Sequence, residues 1–259
     1  MIHLPTATWA HAAFDLAAWG GGIALSVVLY RWRLRGLTEQ VAGKVGAGYF
    51  AALTAGAIPG AWLAGSLNSL QGAEPALSHS VVGALVGAIV GVEIYKAARG
   101  ITGSTGGVFV GPFALGVVIG RWGCLFAGLP DGTYGAPTAL PWAVDLGDGI
   151  GRHPAPVYES LAMALFLIAY LEGLARRRPW ALRRGFYALC LWYGLTRFGW
   201  EFLKPYPTLI GPLNLFHMLC GGLVAYGWIY YRRSLGRDRA QGRALPVPGP
   251  DHELSLIHI

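Results

Sequence analysis

The sequence predicts an all-α, polytopic membrane protein with about seven transmembrane helices, its N-terminus outside the cytoplasm and its C-terminus inside. Hydrophobic residues make up 54% of the 259 residues and charged residues 13%, whereas a soluble domain usually has about 25% charged residues. Apolar stretches recur along the chain, each about 20 residues long, which is the length a helix needs to cross a bilayer. Basic residues cluster between these stretches, a pattern that indicates membrane orientation and argues against nucleic-acid binding.

Seven apolar segments are long enough to cross the bilayer as helices, and none shows the alternation of a transmembrane strand. In chain order, the predicted spans are residues 8–30, 45–67, 78–95, 108–126, 157–174, 185–203 and 209–231. The N-terminal residues MIHLPTATW lack a basic region, so we expect no cleaved signal peptide and a retained first span.

The orientation follows from basic clusters after the odd-numbered spans, because cytoplasmic links are enriched in Lys and Arg. The clusters are Arg31, Arg33, Arg35 and Lys44; Lys96 and Arg99; Arg176, Arg177, Arg178, Arg183 and Arg184; and Arg232, Arg233, Arg237, Arg239 and Arg243. The other links contain Glu74, Asp131, Asp145 and Asp148 instead. Odd-numbered spans are therefore predicted to end in the cytoplasm.

Four of the 20 Lys and Arg residues fall outside these clusters: Arg121, Arg152, Arg197 and Lys204. Arg121 and Arg197 lie within predicted spans, where a charge costs several kcal/mol and marks a functional site by default. A guanidinium binds phosphate bidentately, so these residues predict an anionic-lipid site. We expect Arg152 on the outer side and Lys204 as an interfacial charge near the mouth of the site.

Three further interpretations concern ionisable residues in the spans. Tyr193, Arg197 and Glu201 share one helix face at i, i+4 and i+8. Glu201 therefore either neutralises Arg197 or leaves Arg197 free to bind a phosphate. We favour phosphate binding, because acidic residues are few in this part of the chain. His79 is either an interfacial histidine or a general base. His11 and Asp15, four residues apart, are spaced for a hydrogen bond across one helical turn.

The cysteines and the long fourth link complete the residue-level predictions. Cys124, Cys190 and Cys220 lie in apolar segments without partners at metal-ligand spacing, so we expect small buried side chains and no metal or other cofactor. The link 127–156 is rich in Gly and Pro and is predicted to be an ordered cap on the outer side. Tyr134 and Trp142 are candidate interface anchors within it.

Four motifs resemble those of the prolipoprotein diacylglyceryl transferase family. They are GRWGCLFAG (120–128), YGAPTALPW (134–142), RHPAPVYE (152–159) and YGLTRFGWEFLKP (193–205). The resemblance covers about half of the chain. It implies a seven-helix protein of the bacterial inner membrane that moves a diacylglyceryl group from phosphatidylglycerol to the thiol of a lipobox cysteine. The product is a thioether, and glycerol phosphate leaves. The implied partners are this lipid and prelipoprotein signal peptides, without nucleic acid.

The resemblance also implies a set of site residues. The catalytic candidates are Arg121, Arg197, His79 and Tyr193. The substrate-binding candidates are Gly120, Gly123, Cys124, Tyr134, Gly135, Arg152, His153, Tyr158 and Glu201. Arginines aimed at the leaving phosphate would stabilise the negative charge that it gains.

The chain departs from the family pattern at several positions. Cys124 and Ala127 replace asparagines and Leu129 replaces a glutamate, while an insertion at 130–132 supplies Asp131 as a substitute carboxylate. The departures at Ser80-Val81 and His217 replace a Gly-Gly pair and a glutamine. These changes keep a second hypothesis open, a non-catalytic or re-purposed lipid-binding paralogue. A third hypothesis, a small transporter, rests on an interruption of the second span at 56–60 but lacks an internal repeat.

We predict one transmembrane domain over residues 1–243 and a cytoplasmic tail over 244–259. The last six residues, LSLIHI, are what CTG-TCT-CTT-ATA-CAC-ATC would encode, a string typical of a transposon-end sequencing adapter. We therefore expect the tail after Arg243 to carry no functional weight.

Overall fold

The computed structural model describes residues 1–70 and 77–240, which are predominantly helical as predicted. The helices are α1 (Trp9–Leu29), α2 (Arg35–Ala42), α3 (Ala47–Ser69), α4 (Val81–Ala98), α5 (Val110–Ala127), α6 (Ala155–Ala175), α7 (Pro179–Glu201) and α8 (Leu215–Ala240). Two short strands, β1 (Ile2–His3) and β2 (Val144–Asp145), pair in parallel. The predicted acidic residue Glu74, the basic residue Arg243 and the tail 244–259 lie outside the described residues.

Each of the seven predicted spans coincides with a long helix. In the described part of the chain, five helical segments are long and apolar enough to cross a membrane. These are Trp9–Ala42, Ala47–Ser69, Val81–Ala98, Gly106–Ala127 and Ala155–Ala175. The other two long helices, α7 and α8, are more polar. The chain is thus a multi-pass membrane protein, while seven crossings and the orientation of the termini stay predictions.

The first helical segment runs past its predicted end at residue 30. A π-helical turn, Tyr30–Leu34, joins α1 to α2, so the helix continues to Ala42. Arg31 and Arg33 lie on this turn rather than in an irregular link. Basic side chains do not end a helix, because their backbone can continue the hydrogen-bond ladder while the charge reaches solvent.

Helices α3 and α4 pack backbone to backbone along a seam of small residues. A Cβ atom at Gly56 would lie 2.1 Å from the carbonyl oxygen of Gly87, and one at Gly60 would lie 2.5 Å from that of Gly83. Such contacts are typical of helices in lipid, where small residues permit close approach. Helix α3 runs unbroken through Pro59, so the predicted interruption at 56–60 is wrong and the transporter hypothesis loses its main support.

The core lies between α5, α6, α7 and α8, and the periphery is apolar. Ala114 of α5, Tyr170 of α6, Leu189 of α7 and Cys220 of α8 are completely buried at its centre. Large apolar side chains on α1, such as that of Trp19, point outward and are exposed. An apolar exterior around a polar-containing interior is the arrangement expected of a protein whose solvent is lipid.

The link before α6 is ordered, as predicted, while its place on the outer side stays a prediction. Asp145 of β2 accepts hydrogen bonds from the backbone N–H groups of Gly147 and Gly149, which lower the pKa of its carboxyl group. The guanidinium of Arg152 binds both carboxylate oxygens of Asp148 at 2.7 Å. The Ala136 N–H donates to the carbonyl of residue 203 beyond α7 at 2.6 Å. The cap is therefore fixed to the helical domain at the end of α7.

Candidate active site

A single buried carboxylate gathers three cations from distant parts of the chain. Glu159 lies in the second turn of α6, and its Oε2 atom is 2.6 Å from Arg121 Nε of α5 and 2.6 Å from Arg197 Nη1 of α7. Its Oε1 atom is 2.5 Å from Lys204 Nζ, in the turn after α7. The arginines that the sequence places in separate spans therefore meet on one acidic group.

Glu201 is the second carboxylate of this cluster. Its Oε1 atom is 2.6 Å from Arg197 Nη2, one helical turn away, and its Oε2 atom accepts from Asn214 Nδ2 at 3.3 Å. The predicted pairing of Glu201 with Arg197 is therefore present. Three cations nevertheless face two carboxylates in a buried site, so the cluster keeps one positive charge in excess. A buried charge is costly unless a partner of opposite sign is supplied.

Lys204 does not occupy the interfacial position expected of it. Its side chain is completely buried, and its ammonium group is held between Glu159 and Glu201, 3.7 Å from the latter. The prediction failed because the sequence places Lys204 just past the end of a span, where lysine side chains usually extend to water. Here the chain turns back after α7, so the side chain points into the protein.

A cavity of about 340 Å³ opens beside the arginines. Arg121, Arg197, His79, Gly120 and Cys124 all line it. A Cβ atom at Gly120 would meet no atom closer than 3.9 Å, so this glycine leaves free space next to Arg121. The cavity therefore joins three of the catalytic candidates with room for a ligand.

His79 and Tyr193 take different positions relative to the cavity. His79 precedes α4 and is exposed, with its ring centroid 6.2 Å from that of His11 and 5.9 Å from that of Trp62. Tyr193 is buried behind Phe113, whose ring centroid is 5.3 Å away. Its hydroxyl group has no hydrogen-bond partner among the described residues. Tyr193 thus borders the site through Phe113 instead of lining the cavity.

A cluster that sequence spacing did not reveal also lines the cavity, formed by His11, Cys124 and Asp131. His11 Nδ1 of α1 contacts Asp131 Oδ1, in a short helix Leu129–Asp131 after α5. Burial raises the pKa of Asp131, but hydrogen bonds from His11 and Thr133 outweigh burial and hold it below its usual value. Cys124 Sγ lies 3.7 Å from Arg121 Nη1. Asp15, the predicted partner of His11 one helical turn away, lies with its Oδ2 atom 3.4 Å from Nε2 of the same ring, in agreement with the prediction.

The remaining substrate-binding candidates lie in the cap or at helix contacts. Among the described residues, they are not part of the cavity lining. Arg152 stacks on Tyr134 at 5.0 Å, and Gly135 donates a backbone hydrogen bond to the His153 carbonyl. The Tyr158 hydroxyl accepts from Trp142 Nε1 at 2.7 Å. A Cβ atom at Gly123 would lie 2.8 Å from Phe14, so this glycine permits the close approach of α1 to α5.

The family model described as prolipoprotein diacylglyceryl transferase matches residues 16–232. The chain belongs to the prolipoprotein diacylglyceryl transferase family. It is 31% identical over 196 residues to the phosphatidylglycerol–prolipoprotein diacylglyceryl transferase of Solidesulfovibrio magneticus, an alignment covering 70% of each chain. The protein of the same name from Polynucleobacter asymbioticus is 29% identical over 184 residues and 68% of each chain. That from Finegoldia magna is 32% identical over 122 residues and 47% of each. No solved structure matches the chain.

Membership of this family makes the chain a membrane transferase. The structure also shows where the residues lie that depart from the diacylglyceryl transferase pattern. Cys124 and Asp131 both line the cavity, so polar atoms still face Arg121. Ala127 is buried, and Leu129 packs in a small apolar cluster under the cap. His217 is buried, and its ring accepts the Asn214 N–H at 3.0 Å behind Glu201.

Two members of the buried charge cluster, Glu159 and Lys204, were not predicted as site residues. Both fall inside motifs that carry the family resemblance, RHPAPVYE and YGLTRFGWEFLKP. The sequence therefore contained a signal for both residues. An ionisable residue in a specific motif beside a span is as strong a candidate for a functional site as one within the span. Their joint role depends on the folding of three helices against one another.

Proposed function

We propose that this chain transfers a diacylglyceryl group from phosphatidylglycerol to the thiol of a lipobox cysteine in a prelipoprotein, at the outer face of the bacterial inner membrane. The observation that carries the proposal is the meeting of Arg121 and Arg197 on Glu159 beside the cavity. The excess positive charge there suits a phosphate. The names of the similar proteins supply the two substrates.

The reaction is a substitution at the glycerol carbon that carries the phosphate. The thiolate sulfur forms a bond to this carbon, and the bond from the carbon to the phosphate oxygen breaks. The electron pair leaves on that oxygen, so glycerol phosphate gains negative charge as it departs. Arg121 and Arg197 are placed to stabilise this charge, because preorganised donors act most strongly where charge develops.

The other candidates take supporting roles in this proposal. His79 borders the cavity and is placed to accept the thiol proton, since imidazole is a suitable base near neutral pH. Glu159 and Glu201 hold the arginines in position. Tyr193 supports Phe113 on the cavity wall. The residues of the cap, Arg152 among them, order the outer boundary of the site.

The similar proteins and the site favour catalysis over a purely lipid-binding paralogue. The names of the relatives are those of transferases. Cys124 and Asp131 provide polar atoms where the resemblance suggested that these were lost. The charged groups that line the cavity therefore support the proposed reaction.

The test is conversion of a lipobox peptide to its thioether lipopeptide by membranes that contain the chain and phosphatidylglycerol. We expect the Arg121→Ala variant to lose activity about 100-fold or more, and Arg121→Lys to lose much of it because lysine cannot bind phosphate bidentately. Arg176→Ala is the matched control, since Arg176 is exposed and pairs only with Glu172 at 2.8 Å among the described residues. Absence of product from folded wild-type chain, with a known transferase active in parallel, would refute the proposal.

A further inference from the structure

Three side chains on one wall of the cavity offer a mixed set of metal ligands. One nitrogen of His11, the sulfur of Cys124 and one carboxylate oxygen of Asp131 lie within 4.8 Å of one another. They belong to α1, α5 and the short helix after α5. Imidazole, thiolate and carboxylate together form a set that suits Zn²⁺, and three protein ligands leave a fourth position for a substrate.

We propose that His11, Cys124 and Asp131 bind a Zn²⁺ ion whose fourth position takes the thiolate of the acceptor cysteine. The metal site itself rests on the geometry of these three residues. Its role toward the acceptor rests on the proposed function. This site could not be predicted from the sequence, because the ligands are separated along the chain and have no characteristic spacing.

The surrounding residues form the second layer that a metal site needs. Thr133 Oγ1 donates to the second oxygen of Asp131 at 2.5 Å. Asp15 Oδ2 lies 3.4 Å from His11 Nε2, the ring nitrogen opposite the one that contacts Asp131. A ligating histidine usually donates its other ring N–H to a carboxylate, which orients the ring and raises its basicity. Each oxygen or nitrogen ligand therefore has a partner that holds it in place.

The three ligand atoms lie within 4.8 Å of one another, so small movements would bring them to the spacing around a coordinated ion. Bonds of about 2.0–2.3 Å to Zn²⁺ separate ligand atoms by roughly 3–4 Å in a tetrahedral site. His11 Nδ1 and Asp131 Oδ1 now contact each other directly, so both atoms point toward the same place. Side-chain rotations that move the three ligand atoms by about an ångström would admit the ion between them.

The position of the site fits the chemistry of thiol transfer. All three ligands line the same cavity as Arg121 and Arg197. A thiol that coordinates a metal loses its proton, and His79, which lines the same cavity, is placed to accept it. The bound thiolate then attacks the glycerol carbon, the sulfur–carbon bond forms, and the carbon–oxygen bond to phosphate breaks. The metal would hold the nucleophile, and the arginines would hold the leaving group.

The binding test uses the full chain in detergent. We expect about one Zn²⁺ per chain after removal of excess metal, and a thiolate-to-metal absorption band when Co²⁺ replaces Zn²⁺. Cys124→Ser should abolish that band, and Asp15→Asn, which keeps all three ligands, should weaken Zn²⁺ affinity about 10- to 100-fold. Cys190→Ala is the control, since Cys190 is buried in α7 and away from the described cavity lining. Zn²⁺ binding equal in the wild type and Cys124→Ser would overturn the site.

The role toward the acceptor has a separate readout. Adding a lipobox peptide to the Co²⁺-loaded chain should strengthen the thiolate band, whereas a peptide with serine in place of the cysteine should not. An unchanged spectrum with the cysteine peptide would overturn thiolate binding.

Neither measurement depends on product formation, so the two proposals can fail separately. If the chain binds Zn²⁺ and thiolate but makes no lipopeptide, the proposed reaction fails and the metal site stands. If lipopeptide forms at the same rate after the metal is removed, the reaction stands and the metal's role in it fails.

Discussion

Glu159 stabilises an arrangement of charges that would otherwise be unfavourable. Its carboxylate contacts Arg121, Arg197 and Lys204, all of them buried. Like charges repel strongly in a low-dielectric interior, so the shared anion is what permits three cations to lie together. A ligand phosphate would add the negative charge that the cluster still lacks. The carboxylate therefore acts as a positioning group for the two arginines.

Replacement of this carboxylate should destabilise the folded chain. We expect Glu159→Gln to lower the free energy of unfolding by about 3–5 kcal/mol, because breaking a buried ion pair leaves uncompensated charge. The measurement is thermal or denaturant unfolding in detergent. Glu172→Gln is the matched control on the same helix, since its pair with Arg176 is exposed and should contribute about 0–1 kcal/mol. Equal stability of the two variants would contradict this account of Glu159.

The predictions for individual residues succeeded where the residue places a charge inside an apolar span, which is energetically costly. Arg121 and Arg197 stand out in the sequence because each is a lone charge in an apolar span, and the structure brings both to one cavity. Their catalytic role stays a prediction. Glu159 and Lys204 lie at the ends of spans, where charges are ordinary. Nothing local distinguishes an end residue that folds inward from one that reaches water.

At the scale of helices, the α3–α4 pair depends on backbone contact rather than on large side chains. Gly83 and Gly87 of α4 face Gly60 and Gly56 of α3, with carbonyl oxygens where side chains would otherwise be. The sequence showed these glycines but not their partners. In the sequence, the glycines at 56–60 suggest a break, whereas in the structure they belong to a continuous packing surface.

A methyl group in this seam should separate the helices. We expect Gly87→Ala to cost about 1–3 kcal/mol, since the added Cβ would lie 2.2 Å from a carbonyl oxygen that cannot rotate away. Gly20→Ala on α1 is the control, because a Cβ there meets no atom within 4 Å. It should be neutral or slightly stabilising, as alanine favours helix. Thermal unfolding of both variants in detergent gives the comparison, and a neutral Gly87→Ala would argue against the seam.

The cap before α6 depends on ion pairing at its surface. Hydrogen bonds from Arg152 lower the pKa of Asp148 to about 2. Because this pKa is below the unfolded value of about 3.9, the pair stabilises the cap at higher pH and loses that effect as pH falls toward 2. Above the unfolded value its contribution is fully present.

Acid should therefore loosen the cap in a way that depends on Asp148. Between about pH 4 and pH 2, the wild type should lose more stability than Asp148→Asn, which has no carboxylate to protonate. The midpoint of thermal unfolding across this range measures the difference. Parallel decreases in the two proteins would mean that the Arg152–Asp148 pair does not contribute.

On the scale of the whole molecule, the distribution of charge predicts the topology. The basic residues at the ends of α4 and α6 and the cap before α6 lie at opposite ends of the helices. If the basic residues lie in the cytoplasm, the cap and the cavity are predicted to lie on the outer side. An outward cavity suits an acceptor that has been exported.

Labelling of introduced cysteines tests this topology. Ala139 in the cap and Ala98 at the end of α4 are both exposed, so Ala139→Cys and Ala98→Cys form a matched pair. In a chain that also carries Cys124→Ala, the buried Cys190 and Cys220 should not react. A membrane-impermeant maleimide added to intact cells should label residue 139 and not residue 98. The opposite result would reverse the predicted orientation.

From the amino-acid sequence we could predict the helical membrane class, the positions of the long helices, the family and the two lone arginines. These properties depend on local composition, since a span must be apolar along its length and a charge within it is conspicuous. The folded structure was needed to show that Glu159 pairs with Arg121, Arg197 and Lys204, and that His11, Cys124 and Asp131 converge. Such contacts join residues far apart in the chain, and they depend on how each helix is rotated and packed against its neighbours. Helices with apolar residues on nearly every face carry little periodic signal of that rotation.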